Sequence, residues 1–204
     1  MRFTISVALT ACLGLYGCGG NPSAPAGVTS SNPSATTASI PAFLIASTPV
    51  GASTPCPAIG FDDAGAPAAP VTTYTRCGFT VTATTVNWRV WTGYGHPAPF
   101  IGFMSAAGVT TTGEIRVTAA AGKFTFQSVD VYSSTTPIPY LITGIANSGT
   151  VFTLEGTQPN TFGNFATISN PHAEVPIDAL VVRLSNPAAA CCPNPTGLDT
   201  IVVR

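Results

Sequence analysis

Both tryptophans and one of the two histidines of the chain fall between Asn87 and Phe100, together with several Gly and Pro residues. Sugars present flat C–H faces, which proteins bind with aromatic rings and a few well-placed polar groups. A segment broken by Gly and Pro indicates a loop, and loops on a rigid β-scaffold commonly carry function. The segment therefore predicts a ligand-binding site, with the candidate residues Asn87, Arg89, Trp91, Tyr94 and His96.

Packing alone is the alternative explanation for these aromatic residues. Trp88 and Phe100 would then belong to the core, and Trp91 would cover the edge of the fold. We expect Trp88 to be buried, whereas the pattern leaves both roles open for Trp91 and Tyr94.

Three acidic residues form a second candidate site. Asp62 and Asp63 stand near the beginning of the folded part, and Asp199 lies in the last apolar segment. If the two ends of the domain meet, these carboxylates converge and repel each other unless a cation joins them. Calcium takes about six to eight oxygen ligands, so the three residues predict a calcium site. The alternative is that the adjacent pair caps a turn and that Asp199 accepts hydrogen bonds from backbone amides.

The cysteines of the folded part are Cys56, Cys77, Cys191 and Cys192. In an oxidising compartment four cysteines predict disulfides, with three pairings to choose from. A bond between Cys191 and Cys192 is disfavoured, because neighbouring Cα atoms lie about 3.8 Å apart and disulfides prefer about 4.4–6.8 Å. We therefore expect these two residues to bond separately to the two earlier cysteines, which would tie the end of the domain to its start. A zinc site is not expected, since no C-x-x-C pair is present.

Motifs of known enzyme classes are missing from the sequence. It has no G-x-S-x-G, H-E-x-x-H or P-loop pattern. His172 stands near Glu174 and Asp178, but nothing in the spacing demands a catalytic triad. A carboxylate pair for glycoside hydrolysis would have to come from Glu114, Asp130, Glu155, Glu174 or Asp178. Because Asp130 and Asp178 fall inside strand patterns, we expect them to satisfy buried polar groups, and we predict a protein that is not an enzyme.

The N-terminus indicates export. Arg2, an apolar run and small residues follow the pattern of a secretory signal peptide rather than of a membrane span. The end of the run, Leu15 to Cys18, resembles the lipobox of bacterial lipoproteins, in which the signal is cut before a cysteine that is then lipidated. This resemblance implies a signal peptide over residues 1–17 and a lipid on Cys18 that anchors the protein to the bacterial cell envelope. The alternative is an ordinary signal peptide cut near the same place.

Composition separates a linker from a folded domain. Residues 18–42 are uncharged and rich in Gly, Ser, Pro, Thr and Ala, which predicts a flexible linker. Residues 43–204 are long enough for one domain with its own core. Only 7% of the chain is charged and the net charge is −1, so no basic patch is available to bind nucleic acid.

Apolar residues alternate with period two along much of this domain, and turn residues separate the alternating segments. In the segment 114–118, Ile115 and Val117 are expected to face inward. At Ser128 and Val129 the alternation shifts by one residue, which predicts a β-bulge. About eight or nine short antiparallel strands predict an all-β sandwich whose first and last strands lie near each other.

The order of these motifs resembles a known family. It runs from Phe61-Asp62-Asp63 through the segment 124–131 and a hairpin at 141–152 to the segments 165–168, 177–180 and 197–202. This order is similar to jelly-roll domains of exported bacterial proteins that resemble galactose-binding-like carbohydrate-binding modules. The resemblance covers residues 60–204 and implies a jelly-roll β-sandwich, a glycan ligand, and a structural calcium where the first and last strands meet.

We therefore predict an exported, non-catalytic domain that binds glycans. The alternative is a structural or adhesive surface domain that contacts another protein. That alternative is suggested by the low charge and by an apolar stretch, Pro97 to Ile101, interpreted as a surface loop.

Overall fold

A computed structural model describes residues 56–85, 87–93, 96, 98–188 and 194–204. All of them belong to one compact unit, Pro49–Arg204. Several predictions made from the sequence fall outside the described residues: the signal peptide (1–17), the linker (18–42), the start of the domain at residue 43, Cys18, Tyr94, Cys191 and Cys192.

The described residues form twelve strands and no helix, so nothing among them is a helix long and apolar enough to cross a membrane. The strands are β1 (Ala58–Ile59), β2 (Thr73–Arg76), β3 (Phe79–Ala83), β4 (Arg89–Trp91), β5 (Phe100–Ser105), β6 (Thr111–Ala119), β7 (Phe126–Ser133), β8 (Ile138–Ala146), β9 (Gly149–Gln158), β10 (Phe165–Ser169), β11 (Ala179–Asn186) and β12 (Asn194–Val203).

Two antiparallel sheets contain these strands. Sheet 1 has the order β10-β7-β12-β5-β4, and β1 pairs with β12 as well. Sheet 2 has the order β2-β3-β6-β11-β8-β9. This is the all-β sandwich predicted from the sequence, and the strands are more numerous than the eight or nine expected.

The core lies between the sheets and follows the predicted alternation. Ile115 and Val117 of β6 are fully buried, and so are Val129 and Val131 of β7 on the other sheet. The parity shift predicted at Ser128 and Val129 is also present, because Val202 pairs with Ser128 and Val203 with Phe126, which leaves one extra residue on β7 between Phe126 and Ser128. Burial of each such aliphatic side chain stabilises the fold by about 1.5–3 kcal/mol.

The first and last strands meet through the backbone. In β1, Ala58 and Ile59 pair with Val202 and Ile201 of β12. Just after β1, the backbone N–H of Phe61 donates to Oδ1 of Asp199 over 3.3 Å. The predicted contact between the ends of the domain is therefore present, and these backbone and side-chain hydrogen bonds form it.

The disulfide is different from the predicted one. Cys56 bonds to Cys77, with the two Cα atoms 5.7 Å apart. Cys77 and Gly78 are the two central residues of the β2–β3 hairpin, where both have positive φ (54° and 79°). Such a two-residue turn needs left-handed backbone at both positions, and it places the Cys77 thiol beside the start of β1. The prediction that Cys56 and Cys77 bond to the C-terminal cysteines is wrong.

Candidate functional site

The three residues of β4 point alternately to the two faces of sheet 1. Val90 is 1% exposed and packs in the core, so Arg89 and Trp91 lie on the outer face. Asn87, two residues earlier, is exposed on the same parity. Period-two alternation therefore brings three of the predicted binding residues to one side of one strand.

Backbone hydrogen bonds fix both sides of β4. On one side it pairs with β5, with Arg89 opposite Gly102 and Trp91 opposite Phe100. On the other side, the N–H of Ala68 donates to the carbonyl of Val90 over 2.9 Å, and the N–H of Val90 donates to the carbonyl of Ala69 over 2.9 Å. The edge of the strand is thus paired, and the candidate site stands on rigid backbone.

A row of paired residues crosses the outer face of sheet 1. From β10 to β4 it consists of Phe165, Tyr132, Gly197, Gly102 and Arg89. The two glycines leave room at its centre, and the Phe100 ring lies over them. A Cβ atom on Gly197 would stand 2.7 Å from Cε2 of Phe100, and one on Gly102 would stand 3.0 Å from Cδ1 of Trp91. Larger residues there would push both rings off the sheet.

The Phe100 ring also joins an aromatic cluster on this face. Its centroid is 5.0 Å from that of Tyr132 and 5.4 Å from that of Phe165. Phe100 and Tyr132 are 0% and 1% exposed. Such pairs are worth about 0.5–1.5 kcal/mol beyond their burial, so the cluster holds the outer face in place behind Trp91.

Two cavities flank Trp91 on this side of the protein. The larger has a volume of about 450 Å³ and is lined by Pro67, Ala68, Arg89, Val90, Trp91, Thr92, Gly93 and Met104. The smaller has about 170 Å³ and is lined by Asn87, Arg89, Trp91, Phe103 and Met104. Arg89, Trp91 and Met104 are common to both. The larger volume falls within the range of small-molecule sites, about 300–1,000 Å³.

Arg89 is held at the wall of the larger cavity. Its Nη1 donates to the carbonyl oxygen of Ala68 over 3.0 Å, while the side chain remains exposed. No carboxylate within the described ranges forms an ion pair with it. The guanidinium therefore has an anchored orientation and further N–H donors that face the solvent.

The remaining predicted residues have separate positions. His96 is exposed and lines neither cavity, and Tyr94 lies outside the described residues. Trp88 is 1% exposed, which confirms the expectation that it is a core residue. The interpretation of Pro97 to Ile101 as an apolar surface loop is wrong for its end, because Phe100 and Ile101 are fully buried in β5.

Sequence reasoning missed Met104, Pro67 and Ala68. Met104 is 41% exposed and borders both cavities. Recognition of Phe100–Ser105 as a strand paired with β4 would have found it, because Met104 shares the parity of Gly102. Pro67 and Ala68 belong to a non-repetitive segment, and no sequence pattern pointed to them.

The carboxylates of Asp62 and Asp63 lie close together, on either side of the guanidinium of Arg76. Nη1 of Arg76 lies 3.4 Å from Oδ2 of Asp62 and 3.5 Å from Oδ1 of Asp63. It also donates to the carbonyl of Gly60 over 3.0 Å. Arg76, the last residue of β2, therefore supplies a positive charge beside the two carboxylates, which the prediction of a calcium site did not include.

Hydrogen bonding shifts the pKa values in this cluster. The Tyr74 hydroxyl contacts Oδ1 of Asp63, and this bond, with the charge of Arg76, lowers the pKa of Asp63. Burial and the same bond to Asp63 raise the pKa of Tyr74 to about 12. Asp199 is 3% exposed, and its burial raises the pKa of its carboxyl.

These residues are a poor fit for calcium. The guanidinium of Arg76 already binds the carboxylates and the carbonyl that the ion would need, and Asp199 accepts hydrogen bonds from Phe61 and Thr200. Nowhere in the described ranges are three or more His, Cys, Asp or Glu side chains grouped to hold a metal ion. Calcium binding by Asp62, Asp63 and Asp199 stays a prediction, which calorimetric titration with calcium would test.

Other carboxylates make structural contacts. Asp130 accepts from Thr167 over 2.6 Å, and Asp178 accepts from the N–H of Asn147 over 2.6 Å. Glu114 forms an ion pair with Arg183 over 2.6 Å. His172 stacks on Phe152, with ring centroids 5.7 Å apart. Asp130 and Asp178 do accept hydrogen bonds, but both bonds are exposed, so the expectation that these residues satisfy buried polar groups is wrong on burial.

Comparison with known proteins gives distant structural similarity only. No family model matches the chain, and no curated protein matches its sequence. A family 61 carbohydrate-binding module in complex with β-1,4-galactotriose is 12% identical with a TM-score of 0.40, covering 62% of this chain and 87% of that one. A family 32 module of C. perfringens NanJ in complex with galactose is 12% identical with a TM-score of 0.39, covering 65% and 98%.

A family 29 module from Piromyces equi is also similar, with 12% identity, a TM-score of 0.40, and coverage of 66% of this chain and 87% of that one. Similarity at this level carries no argument about the ligand of this chain. Its fold class is established by its own two antiparallel sheets.

Proposed function

We propose that the chain is a non-catalytic glycan-binding domain. The observation that carries the proposal is the common outer face of Asn87, Arg89 and Trp91, which lines two adjoining cavities on sheet 1. This face combines an aromatic ring, aliphatic side chains and hydrogen-bonding groups, which are the kinds of group that contact a sugar. The C–H face of a sugar ring would pack on Trp91 and Met104, and its hydroxyl groups would reach the amide of Asn87.

The site is also preorganised for this role. Gly102 lets the ring of Trp91 lie close to the sheet, and backbone pairing on both sides holds β4. Binding of a ligand therefore costs little free energy for ordering the protein, which favours affinity for a small, well-hydrated sugar.

A glycan array probed with the purified protein tests this proposal. We expect binding that falls about 30-fold in Trp91→Ala, since loss of a central aromatic contact costs about 2 kcal/mol. Phe162→Ala is the matched control, because Phe162 is an exposed aromatic residue (82%) that lines neither cavity. Unchanged far-UV circular dichroism would show that both variants fold. An empty array, or equal losses in the two variants, would contradict the proposal.

We also propose export and lipid anchoring through Cys18, on the basis of the N-terminal sequence. Labelled palmitate supplied to a bacterial host that expresses the full chain should be incorporated into the protein. Cys18→Ala should abolish incorporation and release the protein from the membrane fraction. Labelling that persists in Cys18→Ala would contradict the proposal that Cys18 carries the lipid.

Contact with another protein is the second candidate function, and Phe162 favours it. This residue lies in the β9–β10 loop, where its N–H donates to Oδ1 of Asn160 over 2.8 Å and its φ is 50°. An aromatic side chain held in left-handed backbone and almost fully exposed is suited to insertion into a partner. Self-association in analytical sedimentation that Phe162→Ala removes would support this function over glycan binding.

A further inference from the structure

We propose that the glycan bound at this site carries a carboxylate, as a uronic acid does, and that Arg89 determines this specificity. The inference rests on the proposed glycan-binding function and narrows it to one class of ligand. It depends on the charge of the two cavities, on the hydrogen bond that anchors Arg89, and on the finding that no carboxylate of the described residues forms an ion pair with Arg89.

Charge at the site has one sign. Arg89 lines both cavities, and no Asp or Glu lines either of them. Elsewhere in the described part of the chain, Arg76, Lys123 and Arg183 each form an ion pair with a carboxylate. Among the same described residues, Arg89 forms no ion pair. In a chain with so few charged residues, an unneutralised guanidinium at an apolar cavity favours an anionic ligand.

The guanidinium is also positioned for a planar anion. Its Nη1 donates one hydrogen bond to the carbonyl of Ala68 over 3.0 Å, which anchors that end of the group. The remaining N–H donors form the fork that binds a carboxylate through two parallel hydrogen bonds. Lys could not supply this geometry, since its ammonium is a point charge.

A uronic acid joins the two features that the site offers. Its ring has an apolar C–H face for Trp91 and Met104, and its carboxylate extends from the ring edge toward Arg89. A neutral hexose has the same face and lacks the charge. The difference in binding affinity between the two sugars therefore measures the contribution of Arg89 to recognition of the carboxylate.

Calorimetry with matched ligands tests the inference. The ligands are oligomers of galacturonate, mannuronate and glucuronate, their methyl esters, and a sulfated galactose oligomer. We expect at least one uronate oligomer to bind about tenfold more tightly than its ester, with an affinity that falls as salt is added. In Arg89→Gln the acid and its ester should bind equally.

Arg116→Gln is the control variant. Arg116 is an exposed arginine on β6, in sheet 2, and it too forms no ion pair within the described part of the chain. Arg116→Gln changes the net charge by the same amount as Arg89→Gln. Because Arg116 lines neither cavity, its substitution should leave the preference for the acid intact. Loss of the preference in both variants would indicate long-range charge alone and overturn the inference.

Two other outcomes also decide the matter. Binding of neutral glycans with no preference for any uronate, or binding of the sulfated oligomer alone, would overturn the carboxylate inference and leave the glycan-binding function standing. Absence of binding to every glycan would overturn both.

Discussion

Removal of the disulfide between Cys56 and Cys77 should lower the stability of the domain by an amount that follows from its position in the chain. The two residues are separated by 21 positions. Loop-closure entropy for a cross-link of this span gives about 3 kcal/mol. In a domain of this size that corresponds to a fall in melting temperature of about 6–12 °C.

The pairing predicted from the sequence gives a different result. Bridges from Cys56 and Cys77 to Cys191 and Cys192 would each close a loop of well over 100 residues, worth about 5 kcal/mol apiece. Reduction of the protein would then cost roughly twice as much or more, and that cost would depend on the two C-terminal cysteines.

Urea unfolding followed by tryptophan fluorescence distinguishes the two pairings, because Trp88 is buried in the core. Cys56→Ser with Cys77→Ser should lower the free energy of unfolding by about 3 kcal/mol. In the control pair, Cys191→Ser with Cys192→Ser, reduction should still cost the same amount. If reduction has no effect in the control pair, the reasoning from the Cys56–Cys77 bridge is refuted.

Three further perturbations have defined outcomes. Gly197→Ala places a Cβ 2.3 Å from the carbonyl oxygen of Ile101, so thermal melting should show that the free energy of unfolding falls by about 3 kcal/mol. The control is Gly93→Ala, whose Cβ meets open space, and its free energy of unfolding should fall far less. Because the pKa of Tyr74 is raised to about 12, its contribution to the free energy of unfolding is complete below pH 10. That contribution is lost as the pH rises from 10 to 12. Partial exposure reduces that contribution to about 1 kcal/mol, and Tyr74→Phe should remove it from the pH profile of unfolding. Burial raises the pKa of Asp199, so Asp199→Asn should stabilise the protein at pH 7, and the gain should shrink as the pH falls toward 3.8; a gain that is independent of pH would contradict the burial argument.

Strands with one buried face were predictable from the sequence, and strands with two buried faces were not. In β6, Ile115 and Val117 alternate with polar residues, and the structure follows that pattern. In β5, Phe100, Ile101 and Phe103 are all buried, because the outer face of sheet 1 carries its own aromatic cluster. Period-two alternation is then absent, which is why the interpretation of a surface loop is wrong for Phe100 and Ile101.

Some residues of the candidate site could likewise be predicted from the sequence, and others could not. Asn87, Arg89 and Trp91 could be predicted as a group from their residue types, but the prediction of a loop is wrong for Arg89–Trp91, which form β4. Met104 comes from the paired strand, so its position depends on a register that only tertiary structure supplies. The same limitation applies to the disulfide, since Cys56 and Cys77 meet through a hairpin turn and through β1, neither of which has a strong sequence pattern.

The disulfide has a mechanical consequence for a domain held by its N-terminal segment. A pull on that segment enters the described structure at Cys56, whose backbone continues into β1 of sheet 1, a strand of only two residues. Two residue pairs alone would peel away readily under load. The covalent bond to Cys77 passes part of the force to the β2–β3 hairpin of sheet 2. Tension is thus shared by both layers of the sandwich, and an oxidised domain should resist extension in a force experiment better than a reduced one.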